Sequence, residues 1–247
     1  MTATSLRKVV FLDTNVLHFV GLYLSRAKER GLFPFGGDGA AAEKYLSSMT
    51  EADLAKSLGK GLRVVMSLRR DNPRVEYSTA SELELLAGRA KGKAIEKAAA
   101  EGVPDRMWSR LGEKDIAERL RASDFTQIAG GVDRLSGMFQ DAGIDATVSN
   151  TDRGRDVLAI AKEVMGLVYL SVIDSVIYAE AIAAQADQMI SADDYLRRTV
   201  HRIKKDVSAK GTRARLQERV AVLLSRDPGS VTLPDSEPVP SQGGKGH

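Results

Sequence analysis

The chain contains no cysteine among its 247 residues. Disulfides, thiolate metal sites and cysteine nucleophiles are thereby excluded, and any bound metal depends on oxygen ligands or on the three histidines. Aromatic residues make up only 5% of the composition, so Leu, Val, Ile and Ala must fill the core. No apolar run approaches the roughly 20 residues that span a bilayer. Arg7 and Lys8 stand ahead of apolar residues as in a signal peptide, but Asp13 and Asn15 interrupt the run almost at once. The expectation is a soluble, cytoplasmic protein with no membrane partner. There is no internal repeat, and the net charge is only +3.

What is present is ordinary globular composition, 43% hydrophobic and 28% charged, in a length that suits one large domain or one domain with a generous insertion. Val9 to Leu12 read as a fully buried strand, and residues 14 to 30 have helical spacing. A turn cluster, PFGGDG, follows, then helical segments over 40 to 70 with Thr50 to Asp53 as a capping box. RVEYSTA supplies a second strand, SELELLAGRAKGKAIEKAAAEG a long helix, and Pro104 to Gln140 several helical pieces. GIDATVS reads as a strand, NTDRGRD as a polar loop, 155 to 170 and 172 to 187 as two helices, QMIS as a strand and ADDYLRRTVHRIKKDV as a basic helix. Strands alternating with helices argue for a parallel sheet covered on both faces, with ligands gathering beyond the carboxyl ends of the strands.

Acids recur at that end. They are Asp13 in FLDTNVL, Glu82 in STASELELL, Asp174 in SVIDSVIYAEA, and Asp193 or Asp194 in MISADDYL. Converging carboxylates repel, so a desolvated cluster calls for protonation or a divalent cation. With no thiols, a hard ion such as Mg²⁺ or Mn²⁺ is the expectation. Such an ion lowers the pKa of a bound water and neutralises charge on a phosphodiester. The same acids also obey helix-cap spacing. Thr79, Ser171 and Ser191 each stand three residues before Glu82, Asp174 and Asp194. Asp13, ending an apolar run, has no structural task beyond capping the next helix.

The ordered segments DTNVL, SELELL, IDSVIYAEA and MISADD resemble the PIN-domain family of nucleases over about 1 to 90 and 143 to 206. The resemblance implies a three-layer α/β/α sandwich with a short, mostly parallel sheet and metal-dependent hydrolysis of RNA. It carries Asp13, Glu82, Asp174 and Asp193 over as catalytic metal ligands for Mg²⁺ or Mn²⁺. Glu82 is preferred to Glu84, which at helical spacing faces elsewhere, and Asp194 takes the capping position beside Asp193. Asn15 and Ser191 are the supporting polar groups, either on a water or phosphate oxygen or as helix caps. Toxin-type relatives of toxin-antitoxin pairs imply an antitoxin-like inhibitor as partner, and a homodimer is a further possibility.

Compared with those toxins the chain is long. The expected organisation is a PIN-like domain over 1 to 206 with a helical insertion at 91 to 142. A basic helical extension follows over 207 to 226, then a disordered tail over 227 to 247. The insertion suits a lid, a substrate platform or a dimer surface. Arg197, Arg198, Arg202, Lys204 and Lys205 form the expected phosphate track, with a solvated basic face as the plainer reading. Trp108, Tyr77 and Phe125 are candidates for base stacking, and His18 is expected to pack on the apolar face of the first helix. The alternatives are a PIN-fold binding or scaffold protein without catalysis and a phosphohydrolase with an Asp nucleophile. The haloacid dehalogenase version of the latter wants a second Asp where this chain has Asn15.

Overall fold

The computed structural model describes residues 7–31, 39–149, 154–167, 170–206, 210–221 and 223–231. Five strands, β1 (Val9–Leu12), β2 (Arg74–Tyr77), β3 (Ala146–Val148), β4 (Gln188–Ile190) and β5 (Leu224–Arg226), form one sheet in the order β3-β2-β1-β4-β5. Every pairing is parallel. β1 lies at the centre, with Val10 opposite Val75 on one side and Phe11 opposite Met189 on the other. Its residues alternate between faces, as strand geometry requires. Val10 and Leu12 enter one apolar cluster and Phe11 the other, which is why the run shows no polar alternation.

Parallel neighbours need crossovers, and helices supply all of them. Between β1 and β2 run α1 (Thr14–Glu29), α2 (Gly39–Ser47) and α3 (Ala52–Asp71). Between β2 and β3 run α4 (Thr79–Ala100), α5 (Asp105–Trp108), α6 (Glu113–Arg119) and α7 (Ala122–Asp141). α8 (Gly154–Leu167) and α9 (Val172–Ala183) lead to β4, and α10 (Asp194–Lys204) and α11 (Thr212–Ala221) to β5. Leu17, Leu62, Val65, Leu135 and Phe139 cover one face together with Val75 and Tyr77. Val164, Ile177, Leu196, Leu216 and Val220 cover the other with Met189. Helices on both faces of an all-parallel sheet make this an α/β protein, an arrangement compatible with a three-layer sandwich. No helix among the described residues is long and apolar enough to cross a membrane.

Three expected segments take a different form in the structure. The segment 91 to 142 is not cleanly inserted, because α4 continues unbroken through residue 91 to Ala100 and α7 contributes Leu135 and Phe139 to the core. The extension over 207 to 226 is not merely a basic helix. α11 buries Leu216 and Val220, and β5 completes the sheet beside β4. The beginning of the expected tail also packs. Asp227 caps a short 3-10 turn at Pro228–Ser230, Pro228 is buried and Val231 is 2% exposed. The rest of that tail, residues 232 to 247, lies outside the described residues, as do all of the PFGGDG cluster before Gly39 and the first four residues of NTDRGRD. Of the NTDRGRD loop, Gly154, Arg155 and Asp156 open α8, which starts one residue before the helix expected from 155.

α1 and α3 approach each other closely at Gly61. A Cβ at Gly61 of α3 would overlap the Phe19 carbonyl oxygen of α1 and come within 2.8 Å of Tyr23 Cβ. Gly130, inside α7, has open space where a Cβ would go. Gly61→Ala is therefore expected to destabilise the fold by about 1–3 kcal/mol through overpacking. Gly130→Ala is expected to stabilise it by about 0.5–1 kcal/mol through the helix interior. Urea denaturation of both variants checks the pair, and equal effects would show that the α1–α3 approach is not tight.

Candidate functional site

The sheet order reverses its direction of winding between β1 and β4, which is where open parallel sheets place their ligand crevice. Asp13 follows β1 and Ser191 follows β4. The Asp13 backbone N–H donates to the Ile190 carbonyl at 3.1 Å, extending the ladder one residue past the strand. The Ser191 hydroxyl, fully buried, then donates to Asp13 Oδ2 at 2.7 Å. The other carboxylate oxygen accepts the Thr14 N–H at 2.8 Å as the N-cap of α1. Ser191 Oγ also accepts the Asp193 N–H at 3.0 Å, so one hydroxyl ties three elements together.

Asp13 is only 3% exposed. Burial pushes its carboxyl up from 3.8 to about 6, against the two hydrogen bonds that favour the anion, and the charges of Asp174 and Glu84 add to the rise. Asp174 lies in the first turn of α9, where Ser171 Oγ accepts its N–H at 3.0 Å and donates to its Oδ2 at 2.6 Å. This is the cap spacing anticipated from the sequence, and it coexists with a place beside Asp13. Glu84 accepts the Thr14 hydroxyl at 2.5 Å.

Glu84, rather than the expected Glu82, is therefore the acid of α4 at this pole. Two residues along a helix turn through about 200°, and Glu82 instead hydrogen-bonds Tyr77 near Asp133, with burial raising its carboxyl. Tyr77 is buried, its phenol pushed up to about 12 by burial and by Glu82, and its ring stacks on Phe139. The capping task expected of Asp194 falls to Asp193. Asp193 caps α10 by accepting from Tyr195 N at 2.7 Å and Leu196 N at 3.2 Å. Asp194 instead pairs with Arg197 at 3.2 Å and with Arg198. Its β-region backbone makes Asp193 the residue just outside the helix, which spacing alone did not separate from its neighbour. The Thr79 cap falls to Ser78, whose Oγ accepts the Ala80 N–H at 2.9 Å, and α3 begins at Glu51 with no side-chain cap in place of the Thr50 box.

The basic residues of α10 are engaged within the fold. Arg197 also reaches the Ser191 carbonyl at 2.8 Å and Asp227 at 2.9 Å, Lys204 donates to the Leu223 carbonyl at 2.8 Å, and Arg202 lies over the Tyr195 ring. Lys205 is exposed at the helix end. His18 is not packed in the core. It is exposed and lines a cleft with Asn15, and burial of the ring together with Arg89 lowers its proton affinity. Trp108 is anchored through its Nε1–H to the Val103 carbonyl at 2.9 Å, and Phe125 is exposed on α7.

The donors at this pole are all carboxylate or hydroxyl oxygens. Among the described residues no group of three or more acidic or histidine side chains converges closely enough to hold an ion alone. That donor set fits Mg²⁺, which keeps several waters and is held by one or two carboxylates plus substrate phosphate rather than by an all-protein cage. No protein-family model matches the chain, and neither a curated protein nor a solved structure does.

A pH dependence follows from Asp13. Its folded pKa lies above the ordinary 3.8, so the stability it contributes is complete below pH 3.8 and is lost as pH rises through about 6. Two units correspond to about 3 kcal/mol. In EDTA, Asp13→Asn is expected to be more stable than wild type at neutral pH by about 1–3 kcal/mol, with a flatter profile over this range. Urea unfolding across pH checks this, and an equal or lower stability of the variant at neutral pH would contradict the burial argument.

Proposed function

We propose that the protein is a divalent-metal-dependent ribonuclease with a PIN-like fold. The observation that carries this reading is the buried Asp13 carboxylate at the winding reversal of the sheet, with Glu84 and Asp174 close enough to raise its proton affinity. A site that crowds negative charge in a dry place is destabilising by itself and is relieved by a cation. A bound Mg²⁺ or Mn²⁺ would supply charge neutralisation for the scissile phosphate and acidify a coordinated water. Asp13, with Asp174 or Glu84 near it, would hold the ion together with waters and a substrate phosphate. Thr14 orients Glu84 and Ser191 orients Asp13. In the reaction the oxygen of water bonds to phosphorus, the bond to the leaving ribose oxygen breaks, and the water proton ends on that oxygen. Asp193 lies further from this role than the resemblance implied, since its carboxylate caps α10.

The second reading, a PIN-fold nucleic-acid-binding protein without catalysis, is favoured by one fact. Asp13 is already satisfied by Ser191 and Thr14 within the fold. A cleavage assay on mixed single-stranded RNA with Mn²⁺ separates the two. Asp13→Asn, Glu84→Gln and Asp174→Asn are each expected to lose about 100-fold or more in rate, the order of magnitude of losing a group that stabilises charge in the transition state. Glu82→Gln and Asp194→Asn are expected to stay within a few fold. Mn²⁺ should raise the melting temperature of wild type but not of Asp13→Asn. Equal cleavage by all variants, or none by wild type, overturns the ribonuclease reading.

A further inference from the structure

A trough leaves the acid pole along three helices. Its first part, about 560 Å³, is bordered by Thr14, Asn15 and Glu84 at the pole and by Arg89 and Gln127 beyond. The second part, about 900 Å³, runs on between α1 and α7 past Arg134. His18, Arg89 and Gln127 line both, so the two parts are continuous. The lining residues of α7, including Gln127, Gly131, Arg134 and Met138, recur at helical spacing and form one stripe.

The charges along this trough are unequal in their engagement. At the far end Asp141 is paired with Lys28 at 3.1 Å and Glu29 with Arg26 at 3.0 Å. Lys93 is paired with Glu96 at 2.9 Å. Arg89 and Arg134 have no carboxylate partner among the described residues, and Arg134 Nε donates only to the Gly130 carbonyl at 2.8 Å. Arg89 is half-buried and seated against α7, where Gly131 leaves it room, since a Cβ there would collide with its Nη1. Burial and the neighbouring charge of Arg134 lower the proton affinity of Arg89, a penalty that an anion between the two would relieve. Gly88 and Gly92, one turn apart on α4, leave open floor beside the guanidinium.

We propose that this trough is the track of a single RNA strand, with Arg89 and Arg134 gripping a phosphate a few nucleotides from the one at the acid pole. The assignment rests on the ribonuclease reading for the identity of the strand. Guanidinium forks match phosphate oxygens in bidentate fashion, and two forks without carboxylate partners bind an anion without first breaking an ion pair. The basic face of α10 is the poorer track, because Arg197 and Arg198 would have to leave Asp194, and Lys204 the Leu223 carbonyl. The trough is bordered by α1, α4 and α7, and a single strand laid along it would bring one phosphate chain past the acid pole and both arginines. The segment between β2 and β3 thereby acquires a task, since α7 forms the wall that carries Arg134.

The test is fluorescence anisotropy of a labelled single-stranded RNA of mixed sequence in EDTA, across a salt series. Arg89→Gln with Arg134→Gln is expected to weaken binding at least tenfold and to flatten the slope of log K against log salt by about 0.7, for the one phosphate the two arginines share. Arg89→Lys with Arg134→Lys keeps both charges but loses the forks, so it should weaken binding several fold with the slope retained. It also reads the proposal if the glutamine pair fails to fold by circular dichroism. Wild-type affinity and slope in both pairs overturns the track, as does a larger loss from Arg202→Gln with Lys205→Gln. Equal, equally arginine-dependent binding of a duplex probe overturns the single-strand assignment. Cleavage by wild type and Asp13→Asn is measured alongside. An arginine-dependent grip without any cleavage keeps the track and removes the ribonuclease reading. Cleavage that needs Asp13 with binding indifferent to the arginines does the reverse.

Discussion

The hydrogen bond from Ser191 Oγ to Asp13 Oδ2 joins the ends of the two strands between which the sheet reverses its winding. Its donor is completely buried and its acceptor nearly so. A buried hydroxyl and a buried carboxylate each cost free energy unless paired, and here each satisfies the other. The bond also fixes the crevice, because Asp13 begins α1 and Ser191 holds the backbone that begins α10. Every group at the acid pole is placed relative to this pair.

Packing on both faces of β1 makes the arrangement rigid. Phe11 faces one cluster and Val10 and Leu12 the other, so the strand cannot slip by one residue without exchanging its two cores. Asp13 is carried to its position by that register, and Leu12 opposite Ile190 brings Ser191 alongside. The neighbours are Asp174, from the first turn of α9, and Glu84, from the second turn of α4, and the caps of those helices, Ser171 and Ser78, set where each begins. Capping and site-building are thus compatible uses of the same residues. Asp174 keeps its box with Ser171 while its charge acts on Asp13.

The strands, the alternation with helices and the exceptional status of Asp13 were legible in the sequence because they depend on short-range pattern. An apolar run of β-branched and aromatic residues that stops at an acid reads the same before and after folding. The choices between Glu82 and Glu84 and between Asp193 and Asp194 were not legible. Each depends on the rotational phase of a helix and on which residue stands just outside it, and a shift of one position exchanges the answers. The edge strand β5 was missed for a similar reason. Leu224–Arg226 is short and partly charged, and only the neighbouring ladder of β4 makes it a strand.

By itself the sequence determined that any metal here would meet oxygen or histidine ligands and no thiolate, that a parallel sheet would be covered on both faces, and that an acid would end its first strand. Those follow from composition and from period, which are local. Tertiary structure decided which acids meet. It turned Glu84 towards Thr14 and Glu82 towards Tyr77, engaged the arginines of α10 with Asp194 and Asp227, and brought Arg89 and Arg134 to the lining of one trough. These are questions of which side chains share a space after three helices have packed. No spacing within one segment carries that information, because the partners lie on different elements of the chain.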